Sequence, residues 1–327
     1  MNSGENISVV ISGPVFRDEI GDHTKDATAL GCLSVRKLLP KAEIVLSTWE
    51  NTDVSGIDFD RLVLSKDPGP NINNVNRQIC SRQAGIRAAS REYVLALRSE
   101  SHIINLNFLD YIDKYQKHSQ DSTYTFLKNR IVIAATTPPR CTIFHIGDFY
   151  FFGHKSDLLD FWDIPLCDDS KYNQREEQIE YNAHRYLITS FTKKYYPLVF
   201  ENKTDITREN REAYERIMTE NFVITGLHDF GARSYKYPIE DSFQGRLWHY
   251  HVSYTFREWK KLYNRLTGEK GVPKYSFEEF FGIHIYSPLY VFRAKVSAAR
   301  CRICKYFSKY RWYQLLKRLK SRLLNQK

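Results

Sequence analysis

Several features of membrane and secreted proteins are missing from this sequence. No stretch reaches the roughly 18 apolar residues that a helix needs to span a bilayer. The opening residues MNSGENISVVISG contain neither a basic segment nor a long apolar run, so no secretory signal is expected. The six cysteines include a single CxxC, Cys301 and Cys304, and no second pair with zinc-ligand spacing. We therefore expect a cytoplasmic protein with reduced cysteines.

Acidic side chains are absent from the last part of the chain. Residues 293–327 contain twelve Lys or Arg and no Asp or Glu, whereas the other 292 residues carry 36 basic and 38 acidic side chains. The net charge of +10 therefore belongs to one segment. A protein that grips nucleic acid over a broad face would spread positive charge across its body, so we do not expect nucleic acid as a partner.

The first hundred residues alternate between short apolar runs and amphipathic segments. Strands are predicted at ISVVISGPV, AEIVLSTWE, RLVLS and REYVLALRS, and helices at DATALGCLSVRKLLP and NNVNRQICSRQAGIRAAS. This order predicts an α/β fold with a mainly parallel, Rossmann-like sheet flanked by helices. With 327 residues, 42% of them hydrophobic, the chain can bury a large core.

The rest of the chain is predicted to be mixed. We expect helices at 107–118 and 173–191, and strands at RIVIAAT, IGDFYFFG, YYPLVFE and NFVITG. We divide the chain into an α/β domain, residues 1–287, whose two halves meet near residue 105, and a basic amphipathic helical tail, residues 288–327.

Polar residues follow four of the predicted strands. They are Ser12-Gly13-Pro14, Thr48-Trp49-Glu50, Lys66-Asp67-Pro68 and Arg98-Ser99-Glu100. Because ligands of open α/β sheets sit beyond the carboxyl ends of the strands, these ends should converge on one crevice.

The helix after the third strand carries a polar face. Asn74, Arg77, Gln78 and Ser81 lie at i, i+3, i+4 and i+7, and Gly85 follows on the same face, where it would permit close packing. Burying such a face without partners is costly. It is therefore either solvated or part of the wall of a polar crevice, and the spacing alone leaves both open.

The strand end LALRSES offers groups for a diphosphate. A transferase that uses a nucleotide sugar must stabilise a diphosphate leaving group with a metal ion held by carboxylates or with basic side chains. Glu100 can hold such an ion and Arg98 can contact phosphate. The alternative is an Arg98–Glu100 ion pair that ends the strand. This strand end has no Asp-x-Asp motif, which weakens the argument for a metal.

Two further carboxylates are candidates for acceptor binding. Asp148 lies before the aromatic run FYFFG, and a carboxylate beside aromatic faces suits a sugar ring. Glu177 lies near the start of the predicted helix at 173–191 and can act as a general base. The helix macrodipole alone also favours acidic residues there, so this assignment has a structural alternative.

A set of segments, taken in order, resembles the WavE lipopolysaccharide synthesis family, which is grouped with GT-A-like glycosyltransferases. The segments are VVISGPV, EIVLSTWE, KDPGP, NNVNRQICSRQAGIRAASREYVLALRSE, HIGDFYFFGHKSDLLDFW and EEQIEYN. The resemblance implies a GT-A-type fold and transfer from a nucleotide-sugar donor to a lipopolysaccharide, capsule or other surface-polysaccharide acceptor. The family pattern favours Asp after LALRS, where this chain has Glu100, so dependence on Mg²⁺ or Mn²⁺ is left open.

The resemblance and the expected crevice together suggest a role for each candidate residue. Ser12, Gly13, Thr48 and Glu50 would border the nucleoside. Asp67, Asn74, Arg77, Gln78 and Ser81 would line the phosphate and sugar region. Arg98 and Glu100 would sit at the diphosphate, with Glu100 as the metal ligand, and Asp148 and Glu177 would face the acceptor, one of them as base. The halves of the domain are then a nucleotide-binding half and an acceptor half. A nucleotidyl or phospho-sugar transferase, and a non-catalytic partner in a polysaccharide-assembly complex, are the alternatives.

The tail has the pattern of a membrane-surface helix. Trp312, Leu315, Leu316, Leu319 and Leu323 form one apolar face, opposite Lys317, Arg318 and Lys320. Basic and apolar faces of this kind favour an anionic membrane surface. We therefore expect peripheral association with the inner membrane, with Trp312, Leu316, Lys317, Arg318 and Lys320 in contact with lipid, which suits a lipid-linked acceptor. Docking on the body or on a partner, and binding of RNA, are the alternatives.

Overall fold

The computed structural model describes residues 4–17, 26–134, 143–168, 183–200, 206–236, 242–293 and 295–297. The predictions for Glu177 and for the tail contacts Trp312, Leu316, Lys317, Arg318 and Lys320 lie outside these residues. So do positions 173–182 of the predicted helix at 173–191.

A seven-stranded sheet with the order β3-β2-β1-β4-β7-β6-β8 forms the centre of the protein. Its strands are β1 Ile7–Ser12, β2 Glu43–Trp49, β3 Arg61–Ser65, β4 Tyr93–Arg98, β6 Ile131–Ala134, β7 Phe151–His154 and β8 Phe222–Thr225. Strand β7 runs antiparallel to both of its neighbours, and the other strands share one direction. The predicted α/β fold with a mainly parallel sheet is confirmed.

Helices pack on the sheet because its central strands are mostly apolar and are buried along their length. All six residues of β1 are buried, as expected for a parallel strand covered on both faces. The helices are α1 Ala27–Leu38, α2 Val75–Ala88, α3 Leu109–Ile112, α4 Lys155–Trp162, α5 Ala183–Lys193 and α6 Arg208–Asn221. Helix α2 lies close to β1 and β2, since a Cβ on Gly85 would be 2.5 Å from Val10 Cγ1. The close packing predicted at Gly85 is confirmed.

The helix predicted at 107–118 is wrong in extent, because only α3, four residues long, is helical there. Two carbonyls that a longer helix would use accept side-chain hydrogen bonds instead. Ile112 O accepts from the Gln116 amide, and Tyr115 O accepts from Arg130 Nη1 at 2.7 Å. The buried Arg130 thus competes with the helix for the backbone.

The strand predicted at YYPLVFE is also wrong over its described residues, 195–200, which form no strand. Pro197 has no N–H for a ladder. The N–H of Leu198 bonds to Tyr196 O at 2.7 Å, which turns the chain.

A short second sheet and a group of C-terminal helices complete the described part. The sheet joins β5 Ser101–Ile103 to β9 Ala232–Ser234 in antiparallel fashion. The helices are α7 Leu227–Phe230, α8 Phe243–Val252, α9 Phe256–Thr267 and α10 Phe277–Phe281, followed by a π-helix, Gly282–Tyr286, and helical residues 287–293. In the described ranges no helix has the length and apolar character needed to cross a bilayer. The division at residue 287 stays a prediction.

Candidate functional site

The sheet reverses its strand order between β1 and β4. From β1 the chain builds outward to β2 and β3 on one side, and β4 then adds on the other side of β1. Ser12 and Arg98 are register partners at the carboxyl ends of these two strands. Open α/β sheets bind ligands in the crevice at such a reversal.

A cavity of about 680 Å³ lies at this reversal. The strand ends that line it contribute Ser12, Gly13, Pro14, Trp49, Asp67, Arg98, Ser99 and Glu100. Each of the four polar strand ends therefore supplies at least one wall residue, and the predicted convergence is confirmed. What binds there is not settled by this geometry.

The polar face of α2 forms a second wall of the cavity. The residues of this face that line the cavity are Asn74, Arg77, Gln78 and Ser81. The face was predicted to be either solvated or part of a crevice wall, and the second alternative is confirmed. Arg77 holds the loop after β3 in place, because its Nε and Nη2 donate to Asp67 Oδ1 and Oδ2 at 2.8 and 2.6 Å. This hydrogen-bonded pair lowers the pKa of Asp67 below its ordinary value.

Asn74 immediately precedes α2. Its backbone is left-handed, with φ 53°, and its side chain makes no capping bond to the helix. Instead, Asn74 Oδ1 accepts from Arg77 Nη1 at 3.2 Å. Asn74 therefore helps to fix the arginine that faces the cavity.

Arg98 is shared by two buried carboxylates in the cavity wall. Its Nη2 lies 2.7 Å from Glu100 Oε1, and its Nη1 lies 3.7 Å from Asp148 Oδ2. Glu100 and Asp148 are only 2% and 3% exposed. The guanidinium also lies over the Phe149 ring, 4.6 Å from its centroid. The Arg98–Glu100 ion pair considered from the sequence exists, and it lies inside the cavity wall.

Asp148 stays ionised because of its neighbours. Burial alone raises its pKa, but the nearby positive charges, that of His184 when its ring is protonated and those of Arg98 and Arg82, outweigh burial and lower the pKa below the ordinary value. The closest approach of His184 is 3.8 Å, between its Nδ1 and Asp148 Oδ1. A carboxyl held in its charged form is a weak proton acceptor and a good anchor for positive charge.

His184, in the first turn of α5, has a defined ring orientation. Its Nδ1 lies 2.9 Å from Ile146 O. A carbonyl oxygen only accepts, so Nδ1 must carry the proton and Nε2 carries the lone pair of the neutral ring. The ring stacks on His145 with centroids 4.6 Å apart, and His184 lines the cavity.

Arg82 is a buried cation that the sequence reasoning missed. Its Nε donates to Ser12 Oγ at 3.2 Å and its Nη1 to Phe149 O at 3.4 Å, and it lies over the ring of Trp162. Burial lowers its pKa to about 10, against the raising effect of Asp148. Arg82 occurs at i+8 from Asn74, so extending the polar face of α2 by one position would have found it.

Four buried side-chain oxygens of the cavity-lining residues make no hydrogen bond within the described part of the chain. They are Gln78 Oε1, Ser99 Oγ, Glu100 Oε1 and Asp148 Oδ1. Glu100 Oε1 is close enough to Arg98 Nη2 for an ion pair, but the angles between the two groups are not those of a hydrogen bond. Unsatisfied buried oxygens are costly, so this wall is suited to a ligand that donates hydrogen bonds or carries positive charge.

Two predicted residues lie outside the cavity wall. Thr48 is fully buried and Glu50 is exposed, while Trp49 between them lines the cavity. Side chains alternate along a strand, so neighbours of a cavity-facing residue point elsewhere. Thr48 and Glu50 are thus not part of this wall, and their placement beside the nucleoside stays a prediction.

Further wall residues had no assigned role in the prediction, among them Phe16, Ser99, His184 and Lys236. Lys236 reaches the cavity because Tyr235 N donates to Glu100 O at 3.0 Å, which joins the end of β9 to the end of β4. This contact joins residues far apart in the chain, and no periodicity in the sequence marks it.

The wall can be compared with the needs of a divalent cation. No group of three or more His, Cys, Asp or Glu suited to a metal occurs among the described residues. Mg²⁺ commonly uses one or two carboxylates together with substrate phosphates, and Glu100 and Asp148 could supply those oxygens if Arg98 shifted. Asp58 and Asp60 have Asp-x-Asp spacing, but both pair with Arg36 at the opposite end of the sheet.

The family of the chain is shown by its sequence. The family model described as WavE lipopolysaccharide synthesis matches residues 7–282. The chain belongs to the WavE family. The description of that family places its members in lipopolysaccharide synthesis. No curated protein matches this WavE chain.

Some solved structures share part of the fold of this WavE chain. The 4-diphosphocytidyl-2C-methyl-D-erythritol synthase from Anaerococcus prevotii has 17% identity and a TM-score of 0.32, over 51% of this chain and 82% of that one. The inositol-1-phosphate CTP transferase from T. maritima has 9% identity and a TM-score of 0.32, over 67% and 98%. HddC from Yersinia pseudotuberculosis has 8% identity and a TM-score of 0.28, over 47% and 79%. Such low scores support no inference about activity.

Proposed function

We propose that this WavE-family chain is a glycosyltransferase that moves a sugar from a nucleotide-sugar donor to a lipopolysaccharide or other surface-polysaccharide acceptor. The observation that carries the proposal is the cavity at the β1–β4 reversal, whose wall contains Arg77, Arg82 and Arg98 together with two buried carboxylates. A pocket with fixed cations and carboxylates suits a substrate that combines a diphosphate with sugar hydroxyls.

The donor diphosphate is assigned to the cationic side of the cavity. Arg77, Arg98 and Lys236 line it there, and α2 begins at its edge, so the positive end of the helix dipole adds to their charge. Charge-assisted hydrogen bonds to phosphate oxygens stabilise the leaving group as its negative charge grows. The half-buried rings of Phe16 and Trp49 offer stacking surface for the nucleoside base.

We assign the general base to His184. In a direct displacement, the acceptor hydroxyl oxygen forms a bond to the anomeric carbon while the bond from that carbon to the diphosphate oxygen breaks. The diphosphate leaves with the electron pair, and the hydroxyl proton passes to His184 Nε2. Asp148 would then stabilise the imidazolium through its contact with Nδ1. Asp148 itself, with its lowered pKa, is a poorer base than an imidazole near neutral pH.

A divalent cation remains part of the proposal as a possible aid to the leaving group. Glu100, with Asp148 beside it, would hold Mg²⁺ or Mn²⁺ against the diphosphate, and the ion would neutralise charge there. Both carboxylates now face Arg98, so the ion would compete with its guanidinium. Calorimetric titration of Mn²⁺ in the presence and absence of UDP measures this binding directly, and Glu100→Gln should weaken it.

Binding and turnover of nucleotide sugars test the main proposal. The purified protein is titrated with UDP-, GDP-, CMP- and dTDP-sugars by calorimetry, and release of the nucleotide is followed with and without lipopolysaccharide acceptor. Saturable binding with acceptor-dependent release is the expected result. Formation of pyrophosphate from a nucleoside triphosphate and a sugar phosphate would favour the nucleotidyltransferase alternative. Absence of any nucleotide binding would favour the non-catalytic partner.

A lipid-linked acceptor would place the enzyme at the inner leaflet of the inner membrane. The tail contacts predicted from the sequence, Trp312, Leu316, Lys317, Arg318 and Lys320, are proposed as its attachment. Deletion of residues 293–327 should release the protein from anionic vesicles, and unchanged vesicle binding would contradict this part of the proposal.

A further inference from the structure

We propose that the helical residues 287–293 and 295–297, at the start of the predicted tail, form with the aromatic residues of α10 an apolar membrane contact that inserts into an anionic bilayer surface, in addition to the predicted tail contacts between residues 312 and 320. This inference stands on the described residues of the segment and does not depend on the transferase activity.

The segment is apolar and exposed on several sides. Leu289, Val291 and Phe292 are exposed, and in a helix successive residues point about 100° apart. Their side chains therefore leave the helix in three different directions. Phe277 and Phe280 of α10 are exposed as well, so the apolar surface continues along the chain. Exposed apolar side chains concentrated in one part of the chain favour an interaction site there.

One side of the segment is fixed to the body. The Tyr290 ring lies 4.9 Å from both Trp248 and His251 of α8, and Ser287 Oγ lies 2.7 Å from His251 Nδ1. At the preceding turn, a Cβ on Gly282 would lie 2.6 Å from Tyr250 Cβ, so the backbones approach closely there. The segment is therefore held in a fixed direction while its other sides point outward.

Negative charge is kept away from this surface. The acidic residues between positions 277 and 297 are Glu278 and Glu279. Glu278 pairs with Arg246, whose Nε and Nη2 lie 2.9 and 3.0 Å from its carboxylate, and Glu279 is buried. Arg293 and Lys295 then follow Phe292 directly and open the acid-free stretch that ends at residue 327.

These features fit lipid better than a protein partner. A bilayer interface takes up apolar side chains below the headgroups while neighbouring basic residues contact the anionic headgroups. The twelve Lys and Arg of residues 293–327 complement anionic lipid. Tyr and Trp, present here as Tyr290 and Trp248, are favoured at the membrane interface.

Vesicle flotation with the full-length protein tests the inference. The vesicles contain either phosphatidylcholine alone or phosphatidylcholine and phosphatidylglycerol mixed two to one. Wild-type protein should float mainly with the anionic vesicles. Leu289→Ser with Phe292→Ser, at side chains 56% and 65% exposed, should lower the partition coefficient at least about tenfold. Leu33→Ser with Val199→Ser, two exposed apolar residues elsewhere, should leave it unchanged.

Three results would overturn the inference. The first is equal flotation of wild type and the Leu289→Ser, Phe292→Ser protein. The second is a protein without residues 298–327 that no longer floats at all, combined with a Leu289→Ser, Phe292→Ser protein that still binds the vesicles. Residues 298–327 alone would then be the membrane anchor. The third is a wild-type protein that light scattering shows to be a dimer and a double variant that is a monomer but still binds vesicles. The apolar side chains would then contact a second copy of the chain and not lipid. Circular dichroism checks that all variants are folded.

Discussion

Arg98 Nη2 lies 2.7 Å from the carboxylate of Glu100, a residue only two positions further along the chain. The strand end therefore turns back on itself so that its cation and its carboxylate meet in the cavity wall. Asp148, from the segment before β7, approaches the same guanidinium at 3.7 Å. One cation thus balances two buried carboxylates, and a donor diphosphate would compete with both for it.

Removal of Arg98 should destabilise the protein. Arg98→Met leaves Glu100 and Asp148 buried without their shared counter-charge, and breaking a buried pair from one side costs about 3 kcal/mol of the free energy of unfolding. Urea unfolding at neutral pH measures the change. Arg87→Met is the matched control, because its ion pair with Asp163 is exposed and should contribute less than about 1 kcal/mol. If Arg98→Met and Arg87→Met lower the free energy of unfolding equally, the pairing of Arg98 with the two buried carboxylates contributes little to stability.

Much of the fold could be predicted because its information is local. The parallel strands are continuous apolar runs, and α2 carries its polar face at a regular spacing. The helix predicted at 107–118 failed because Arg130, which takes Tyr115 O, comes from a distant part of the chain. Likewise, the loss of the strand at 195–200 depends on a local turn at Pro197 that outweighs its aromatic and apolar composition.

The site could be predicted in part for the same reason. Strand ends and one helix face follow from periodicity, so Ser12, Asp67, Arg77 and Glu100 were expected at the crevice, where they lie. His184 and Lys236 arrive through tertiary contacts, with Ile146 O and through the Tyr235–Glu100 backbone bond, that leave no pattern in the sequence. Thr48 and Glu50 do not line the cavity although Trp49 does, because the side chains of a strand end alternate and do not act as one unit.

Gly13 should tolerate no side chain at the cavity. Its φ is +124°, and a Cβ there would lie 3.0 Å from Ser99 Oγ. Gly13→Ala combines backbone strain with this contact, so we expect a loss of about 1–3 kcal/mol in the free energy of unfolding. Gly56→Ala, at φ +72° with nothing near its Cβ, gives the cost of positive φ alone. A Gly13 variant no less stable than the Gly56 variant would mean that Ser99 moves aside freely.

Arg77 should contribute more to donor binding than to stability. Its pair with Asp67 is partly exposed, so Arg77→Ala should change the free energy of unfolding by less than about 1 kcal/mol. Loss of a charge-assisted contact to phosphate should weaken binding of the preferred nucleotide sugar about tenfold or more. Calorimetry measures both variants, with Arg87→Ala on the same helix as the control. Wild-type affinity in Arg77→Ala would remove Arg77 from the phosphate site.

His184 should affect turnover and leave donor binding intact. His184→Gln removes the proton acceptor while keeping a polar side chain, so sugar transfer should fall about a hundredfold or more. Calorimetric affinity for the donor should stay near that of wild type, because the cations that hold the diphosphate are unchanged. If the rate of sugar transfer by His184→Gln depends on pH in the same way as that of wild type, a residue other than His184 is the base.

Away from the cavity, Arg130 and Glu220 form a fully buried pair with Nη2 and Oε2 at 3.0 Å. His118 Nδ1 lies 3.1 Å from the same Glu220 oxygen, and Ser119 N also donates to the carboxylate. Burial raises the pKa of Glu220, but these hydrogen bonds and the charge of Arg130 outweigh burial and lower it. The pair joins α6 to the segment before β6, so the packing of these two elements depends on its charge.

Glu220 should therefore make stability sensitive to acid. A carboxyl whose folded-state pKa is below its unfolded value of 4.5 stabilises the fold above that pH, and the contribution is lost as pH falls through the folded-state pKa. Glu220→Gln should cost about 3 kcal/mol at neutral pH, because Arg130 is left buried without its counter-charge. The difference in the free energy of unfolding between wild type and Glu220→Gln should decrease as pH falls from 4.5, the unfolded-state pKa, through the folded-state pKa, because wild-type Glu220 then becomes neutral as well. Urea unfolding across this range measures it, with Glu212→Gln on the exposed side of α6 as the control. A gap that stays constant with pH would show that the loss comes from packing and not from the charge of Glu220.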